Sequence, residues 1–226
     1  MRIAQHKKSI AILHCDIVEF SRLTAQNEDS TFYAVRNAFL QANDFVSNAH
    51  GEIINTAGDS FLAIFPTAQG AILASQNIQR YLSLISRTQP EDQRVRVRMG
   101  IHVGDALVEG EQALGNDVNI AARLQEIAPP GGIFISETAY AQINNEDKQR
   151  YKAMGRKLLR HITNPVNAYL LQTGSETLEF ADRLIKHEKP SILVLPFTTL
   201  KGHPELDDLG ESLAIELIDA LSRFRQ

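Results

Sequence analysis

Two aspartates early in this chain each interrupt an apolar run, and that placement suits them to hold a hard cation. Asp16 closes residues 9–15, and Asp59 sits in Ala57-Gly58-Asp59-Ser60 between Ile53-Ile54 and a run from Phe61 to Phe65. Carboxylates without thiol or histidine companions suit Mg²⁺ or Mn²⁺, which take oxygen ligands and fill their shells with water and phosphate. Each Asp could instead cap a turn, a common role for Asp there. Asn55 lies four residues before Asp59 and shares its pleat face, so the two form one candidate site. Farther along, Asn119 and Arg123 stand four apart on a helical segment and point to one side of it. An amide that can bond a sugar oxygen, one turn from a guanidinium that can neutralise a phosphate, would make a transition-state pair. On spacing alone a local arrangement is the stronger reading: Arg123 pairs with Glu126, and Asn119 bonds backbone near the helix start.

These residues need a sheet to deliver them. Residues 51–65 read as two short strands around a Gly-Asp turn, a hairpin signal. Their apolar residues fill both pleat faces, so the hairpin is expected in the centre of a sheet and not on its edge. Residues 9–15 read as a central strand, and residues 17–21 turn the chain. Phe32, Val35, Phe39, Ala42, Val46 and Ala49 recur at steps of three and four, one apolar stripe along a helix that ends before His50-Gly51. Thr67 is placed to cap a second helix through Ala71, Ala74, Ile78, Leu82 and Ile85. Residues 94–101 alternate as a strand, and Gly104 is expected to turn the chain into a partner at 106–108. A loop at 110–116 leads to a short helix at 117–127, stopped by Ala128-Pro129-Pro130-Gly131-Gly132. A strand at 133–136, helical turns at 137–143 and a closing pair at 151–159 and 166–172 complete the series. The order predicts an α+β sandwich with helices over a mainly antiparallel sheet.

Composition narrows the function class. With 226 residues, 43% hydrophobic and 22% charged, the chain can build one full domain and part of another. A net charge of −4 lacks the basic excess of a nucleic-acid binder. Arg94, Arg96 and Arg98 alternate with Val95, Val97 and Met99, which reads as a solvated sheet face. The single cysteine, Cys15, rules out an intrachain disulfide and a thiolate metal cluster. The N-terminal apolar run is too short for a signal-peptide core or a spanning helix, so the expectation is a cytoplasmic chain without a membrane segment. The expected organisation is a complete first domain over 1–173, a polar linker over 174–189 and the incomplete start of a second α/β domain over 190–226. Its strand at 191–197 and helix at 209–224 are too few to close a core, so either the rest of that domain is expected beyond residue 226 or the segment docks on the first domain or on another subunit.

HCDIVEFSRL, GEIINTAGDSFLAIF, VRVRMGIHVGDALVEG and LGNDVNIAARLQ, in that order and at those spacings, resemble the cyclase homology domain of class III adenylate and guanylate cyclases over residues 9–172. The resemblance implies a ferredoxin-like βαββαβ core with covering helices and an extra C-terminal hairpin. It implies that Asp16 and Asp59, with the Ile17 carbonyl, hold two divalent cations, Mg²⁺ or Mn²⁺. Asn119 would orient the ribose, and Arg123 would stabilise the transition state. Backbone around Val18, Phe20 and Ser21 would cradle the terminal phosphates. The closing hairpin, GRKLLRHITNPVNAYLL, would supply a phosphate-binding cation, Arg160 with Lys157 in reserve. The family reaction is attack of the ribose 3′-hydroxyl on the α-phosphate of the nucleotide, assisted by two metals, with release of pyrophosphate. It also implies a homodimer in which the aspartates of one subunit meet the Asn/Arg pair of the other.

Three departures matter. Where adenylate cyclases of this class read adenine with Lys and Asp, this chain has Asn55 and Gln112, amides that can satisfy adenine or, after rotation, guanine. ATP is the expected substrate because no guanine-specific carboxylate is present, and GTP is the alternative. Glu19 stands where the family often has Gly, and reads as an exposed turn residue. Residues 189–224 resemble the opening of a TolB-like N-terminal domain, which implies a larger bacterial regulator. The rival reading is a cyclase-like module that binds nucleotide without turnover. A diguanylate cyclase or polymerase palm fits less well, since Ser60 stands where the former would carry a second acid.

Overall fold

The computed structural model describes residues 8–90, 94–110 and 112–172. The linker and second domain expected over 174–226 lie outside them. The described residues open with β1 (Lys8–Ile17), a short α1 (Phe20–Gln26) and the long α2 (Glu28–Asn48). Asn27 caps α2 by accepting the Ser30 N–H at 2.9 Å, with Glu28 and Asp29 in the first turn to complement the helix dipole. The hairpin β2 (Glu52–Ala57) and β3 (Ser60–Phe65) follows, then α3 (Ala68–Ser86). Thr67 caps α3 as its sequence predicts, accepting from the Gly70 N–H at 3.2 Å. Next come β4 (Val97–Glu109), β5 (Gln112–Leu114), α4 (Asn116–Glu126) and β6 (Ile133–Ser136). Short helices α5 (Glu137–Ala141) and α6 (Asn145–Lys148) precede the closing hairpin of β7 (Tyr151–Lys157) and β8 (Val166–Leu171).

The described strands form one sheet in the order β2-β3-β1-β4-β6-β8-β7, with β5 paired to β4. Every pair is antiparallel except β4 with β6. The first four strands and their helices give the expected ferredoxin-like βαββαβ unit, and the closing hairpin extends the sheet through β6. Pleating divides β1 between two layers. Ala11, Leu13, Cys15 and Ile17 face the main core with Val35, Ala42 and Val46 of α2 and Ala71, Ala74 and Ile78 of α3, whereas Ile10 and Ile12 pack toward Ala121 of α4. His14 and Asp16 therefore share the α4 face.

Three expectations change. The hairpin at 51–65 is not central: β2 is the edge strand, and Ile54 is its one buried residue. The two-sided apolar pattern belongs to β3, whose Phe61, Ala63 and Phe65 enter the core while Leu62 and Ile64 lie half-buried on the α4 side. Phe32 leaves the predicted stripe, 61% exposed, because the buried face of α2 runs through Thr31, Val35, Ala38, Ala42 and Val46. Gly104 makes no turn. β4 runs straight through it, and the chain reverses at Gly110 (φ 55°). A side chain at 104 would collide with the Asp117 carboxyl group, so the glycine serves a close approach.

Candidate active site

The end of β1 brings the two aspartates together. Asp16 is flanked by Ser60 on β3 and by Arg98 on β4, and the Ile17 N–H donates to the Asp59 carbonyl at 2.9 Å, stitching the β2–β3 turn to the strand end. Asp16 Oδ2 accepts from Arg98 Nε at 3.0 Å, lies 2.9 Å from Arg98 Nη2 and accepts from Gln125 Nε2 of α4 at 3.2 Å. Arg98 also reaches the Glu126 carbonyl at 3.4 Å. Burial pushes the Asp16 carboxyl above its ordinary range. Hydrogen bonds and charge from Arg98 oppose that, and the Asp59 charge adds to it.

A pair of carboxylates that repel each other at a strand end, beside a main-chain carbonyl, fits a hard cation. The donors are oxygens, Cys15 faces the opposite core with its thiol pushed far up by burial, and among the described residues no cluster of three or more His, Cys, Asp and Glu assembles. Asp16, Asp59 and the Ile17 carbonyl are the residues that could hold Mg²⁺ or Mn²⁺.

Beyond Ile17 the chain turns into α1. The Val18 N–H is engaged with the Arg96 carbonyl at 2.8 Å, so of the three amides expected to cradle phosphate it is not on offer. Phe20 and Ser21 open α1, where no side chain caps the helix and the Glu19 carbonyl takes the Arg22 and Leu23 amides. Glu19 adopts φ 57° and ψ 34°, the left-handed region that favours glycine. Its carboxylate turns to Arg22 Nε at 2.6 Å.

The remaining candidates are spread over the sheet. Asn119 is exposed on α4, and Arg123 pairs with Glu126, the local arrangement that its spacing favoured. Asn55 on β2 and Gln112 on β5 are both exposed, on strands that approach one another. Arg160 bonds His161 Nε2 at 3.0 Å, and burial lowers the Lys157 ammonium pKa. β7, which ends at Lys157, lies four strand spacings from β1, about 19 Å, and Arg160 follows it in the connection to β8.

Arg98, Gln125 and His14 were missed from the sequence. The alternation of residues 94–99 predicts a solvated face for Arg98, yet it is the countercharge of Asp16. His14, on the same face two residues before Asp16, is half-buried with its buried Nδ1 unpartnered among the described residues, and desolvation lowers its pKa. Only the strand register, Asp16 opposite Arg98, could have revealed the ion pair.

A family model of the adenylate and guanylate cyclase catalytic domain matches residues 3–173. The Rhizobium meliloti protein named "Putative adenylate cyclase 3" is 27% identical over 223 residues, covering 96% of this chain but only 38% of that protein. The crystal structure of an adenylate/guanylate cyclase/hydrolase from Silicibacter pomeroyi superposes with a TM-score of 0.68 at 29% identity, covering 74% of this chain and 97% of that one. The adenylyl cyclase CyaB from P. aeruginosa shares the fold, with a TM-score of 0.67 at 20% identity over 76% of this chain and 97% of that one.

Proposed function

Because the chain belongs to the adenylate and guanylate cyclase catalytic domain family, we propose that it converts ATP to 3′,5′-cyclic AMP and pyrophosphate. The observation that carries this reading is the meeting of Asp16 and Asp59 at the end of β1, with Arg98 against Asp16. Two divalent cations held by Asp16, Asp59 and the Ile17 carbonyl would supply the charge that activates the ribose 3′-hydroxyl and steadies the triphosphate. Arg98 gives the triphosphate a fixed cation to lie against, and the Phe20 and Ser21 amides donate to its terminal oxygens. Asn119 orients the ribose. Arg123 leaves Glu126 to meet charge that develops on the α-phosphate oxygens, so its removal lowers kcat more than it raises KM.

The strand order supports a homodimer with shared sites. Lys157 ends the strand farthest from β1 on its side of the sheet, Arg160 follows it, and Asp16 is bonded by Arg98 and Gln125, not by Asn119 or Arg123. We assign these cations and the Asn119/Arg123 pair to the partner's aspartates. Asn55 and Gln112 read the base, and ATP is favoured over GTP because neither is a carboxylate that would demand guanine's ring and amino protons. Among the described residues no helix is long and apolar enough to cross a membrane. We place the domain in the cytoplasm, where its substrate is, as the catalytic part of a longer regulator whose TolB-like portion begins near residue 190.

Purified protein supplied with Mn²⁺ and either ATP or GTP, with products separated by chromatography, tests the reading. Cyclic AMP from ATP is expected. A preference for GTP overturns the base assignment. No cyclic nucleotide from a verified dimer overturns the enzyme in favour of a nucleotide-binding module, a reading that the Arg123–Glu126 pair would then favour. Mixing Asp16→Ala with Arg123→Ala subunits should restore activity through one intact site per heterodimer, and no recovery refutes shared sites.

A further inference from the structure

The β4 face that carries Arg98 also carries His102, a buried histidine, 6% exposed, that the proposed reaction does not use. Its ring bridges two helices. Nε2 lies 3.3 Å from Asp117 Oδ1 in the first turn of α4, and Nδ1 lies 3.3 Å from Thr138 Oγ1 in α5. The other oxygen of Asp117 accepts the Asp105 N–H at 2.6 Å, an approach that Gly104 admits by lacking a side chain. Thr138 donates to the Val103 carbonyl at 2.7 Å and stands 2.9 Å from Ser136 Oγ, which caps α5 by accepting the Ala139 N–H.

The protons of this network can be counted. Thr138 has one hydroxyl proton, committed to Val103, and Ser136 has one that can serve Thr138. A neutral imidazole brings one more, yet its two nitrogens face a carboxylate oxygen and a hydroxyl lone pair. Three protons therefore serve four contacts, and a second ring proton completes the set.

We propose that His102 is a positioning residue for α4: through Asp117 it fixes the turn that carries Asn119, and it does so most fully when doubly protonated. The consequence for catalysis rests on the cyclase reading, whereas the clamp itself does not. Burial holds the ring below its ordinary pKa, and the Asp117 charge and hydrogen bond work the other way. The second proton is thus taken up on the acid side of neutrality. Asp117 is the charged group that faces the ring from α4. The α5 helix offers Thr138, with its Glu137 engaged by Asn167 at 2.8 Å. β1 offers Ile12 across the strands, and Asp105 on β4 is exposed.

The test compares the full chain with Thr138→Val, which keeps shape but removes the contact completed by the second proton, and with His102→Gln, which cannot titrate. Imidazole ¹⁵N shifts locate the ring's pKa. Below it, exchange of the Ile120 and Ala121 amides should slow about fivefold relative to Thr138→Val, the equivalent of one net hydrogen bond. The kcat ratio of wild type to either variant should rise about fivefold over the same interval while the KM ratio stays flat. Taking ratios cancels the titration of Asp16, which all three proteins share. Ratios of exchange rates and of kcat between wild type and variant that do not change with pH overturn the clamp. If the wild type makes no cyclic nucleotide, the cyclase reading falls and the exchange measurement alone decides the clamp.

Discussion

Gly100 offers the sharpest test of how the fold positions its chemistry. It lies on β4 opposite His14, and a Cβ there would run into the Ala121 carbonyl oxygen and the Gln125 N–H of α4, with Gln125 Cα at 3.0 Å. These are main-chain atoms, so no rotamer change relieves the contact. Restoring ordinary van der Waals separations to all three atoms requires α4 to withdraw by more than about 1 Å. The withdrawal loosens Ile120 and Leu124 from the layer they form with Phe134, and overpacking of this kind costs about 1–3 kcal/mol. It also carries Gln125 away from Asp16 and breaks the 3.4 Å contact of Arg98 with the Glu126 carbonyl. Asn119 and Arg123 move with the helix, and a 1 Å displacement of a reacting group costs about 100-fold in rate. Urea unfolding of Gly100→Ala should show a lower midpoint with an unchanged slope, and its kcat with Mn²⁺ and ATP should fall by about two orders of magnitude. A variant with wild-type midpoint and wild-type kcat refutes the close packing. Lost stability with full kcat would show that the height of α4 over the sheet does not set the position of Arg123.

Asp16 predicts a trade between stability and activity. Its folded pKa is raised, chiefly by burial, so its contribution favours the fold below the ordinary carboxylate pKa and is lost as pH rises through the raised value. Metal-free Asp16→Asn, which keeps an acceptor for Arg98, should therefore melt above wild type near neutral pH, with the gap closing toward about pH 4 and activity abolished; a lower melting temperature at neutral pH refutes this. Glu19→Gly should stabilise by about 0.5–1 kcal/mol in urea unfolding, because relief of the left-handed backbone outweighs an exposed Arg22 bridge, and a loss of stability would remove the claim of strain. Glu126→Gln frees Arg123 from a pair worth about 0.3–0.5 kcal/mol, so kcat should rise about twofold, and a fall would mean that Glu126 holds Arg123 in its working position.

What the sequence made legible were properties of single faces. The apolar runs of β1, β3 and β6 and the steps of three and four along α2 and α3 report which side of an element is buried, and Thr67 capped α3 as its type and place required. What it hid were properties of pairs. Alternation correctly put Val97 and Met99 in the core and Arg98 on the other face, but whether that face meets water or a carboxylate depends on the register with Asp16, 82 residues away. Gly104 signals either a turn or a close approach, and only the Asp117 carboxyl group decides between them. The edge position of β2 was hidden for the same reason, since its neighbours are set by β3 pairing with β1. The candidate site divides along this line. Asp16 and Asp59 could be found because each breaks an apolar run, whereas the cation beside Asp16 continues a regular pattern. A countercharge that fits its strand's alternation leaves no mark in the sequence, although Arg98 opposes the burial that raises the Asp16 pKa. The aspartates mark the proposed site, and Arg98 helps decide how readily Asp16 carries its charge.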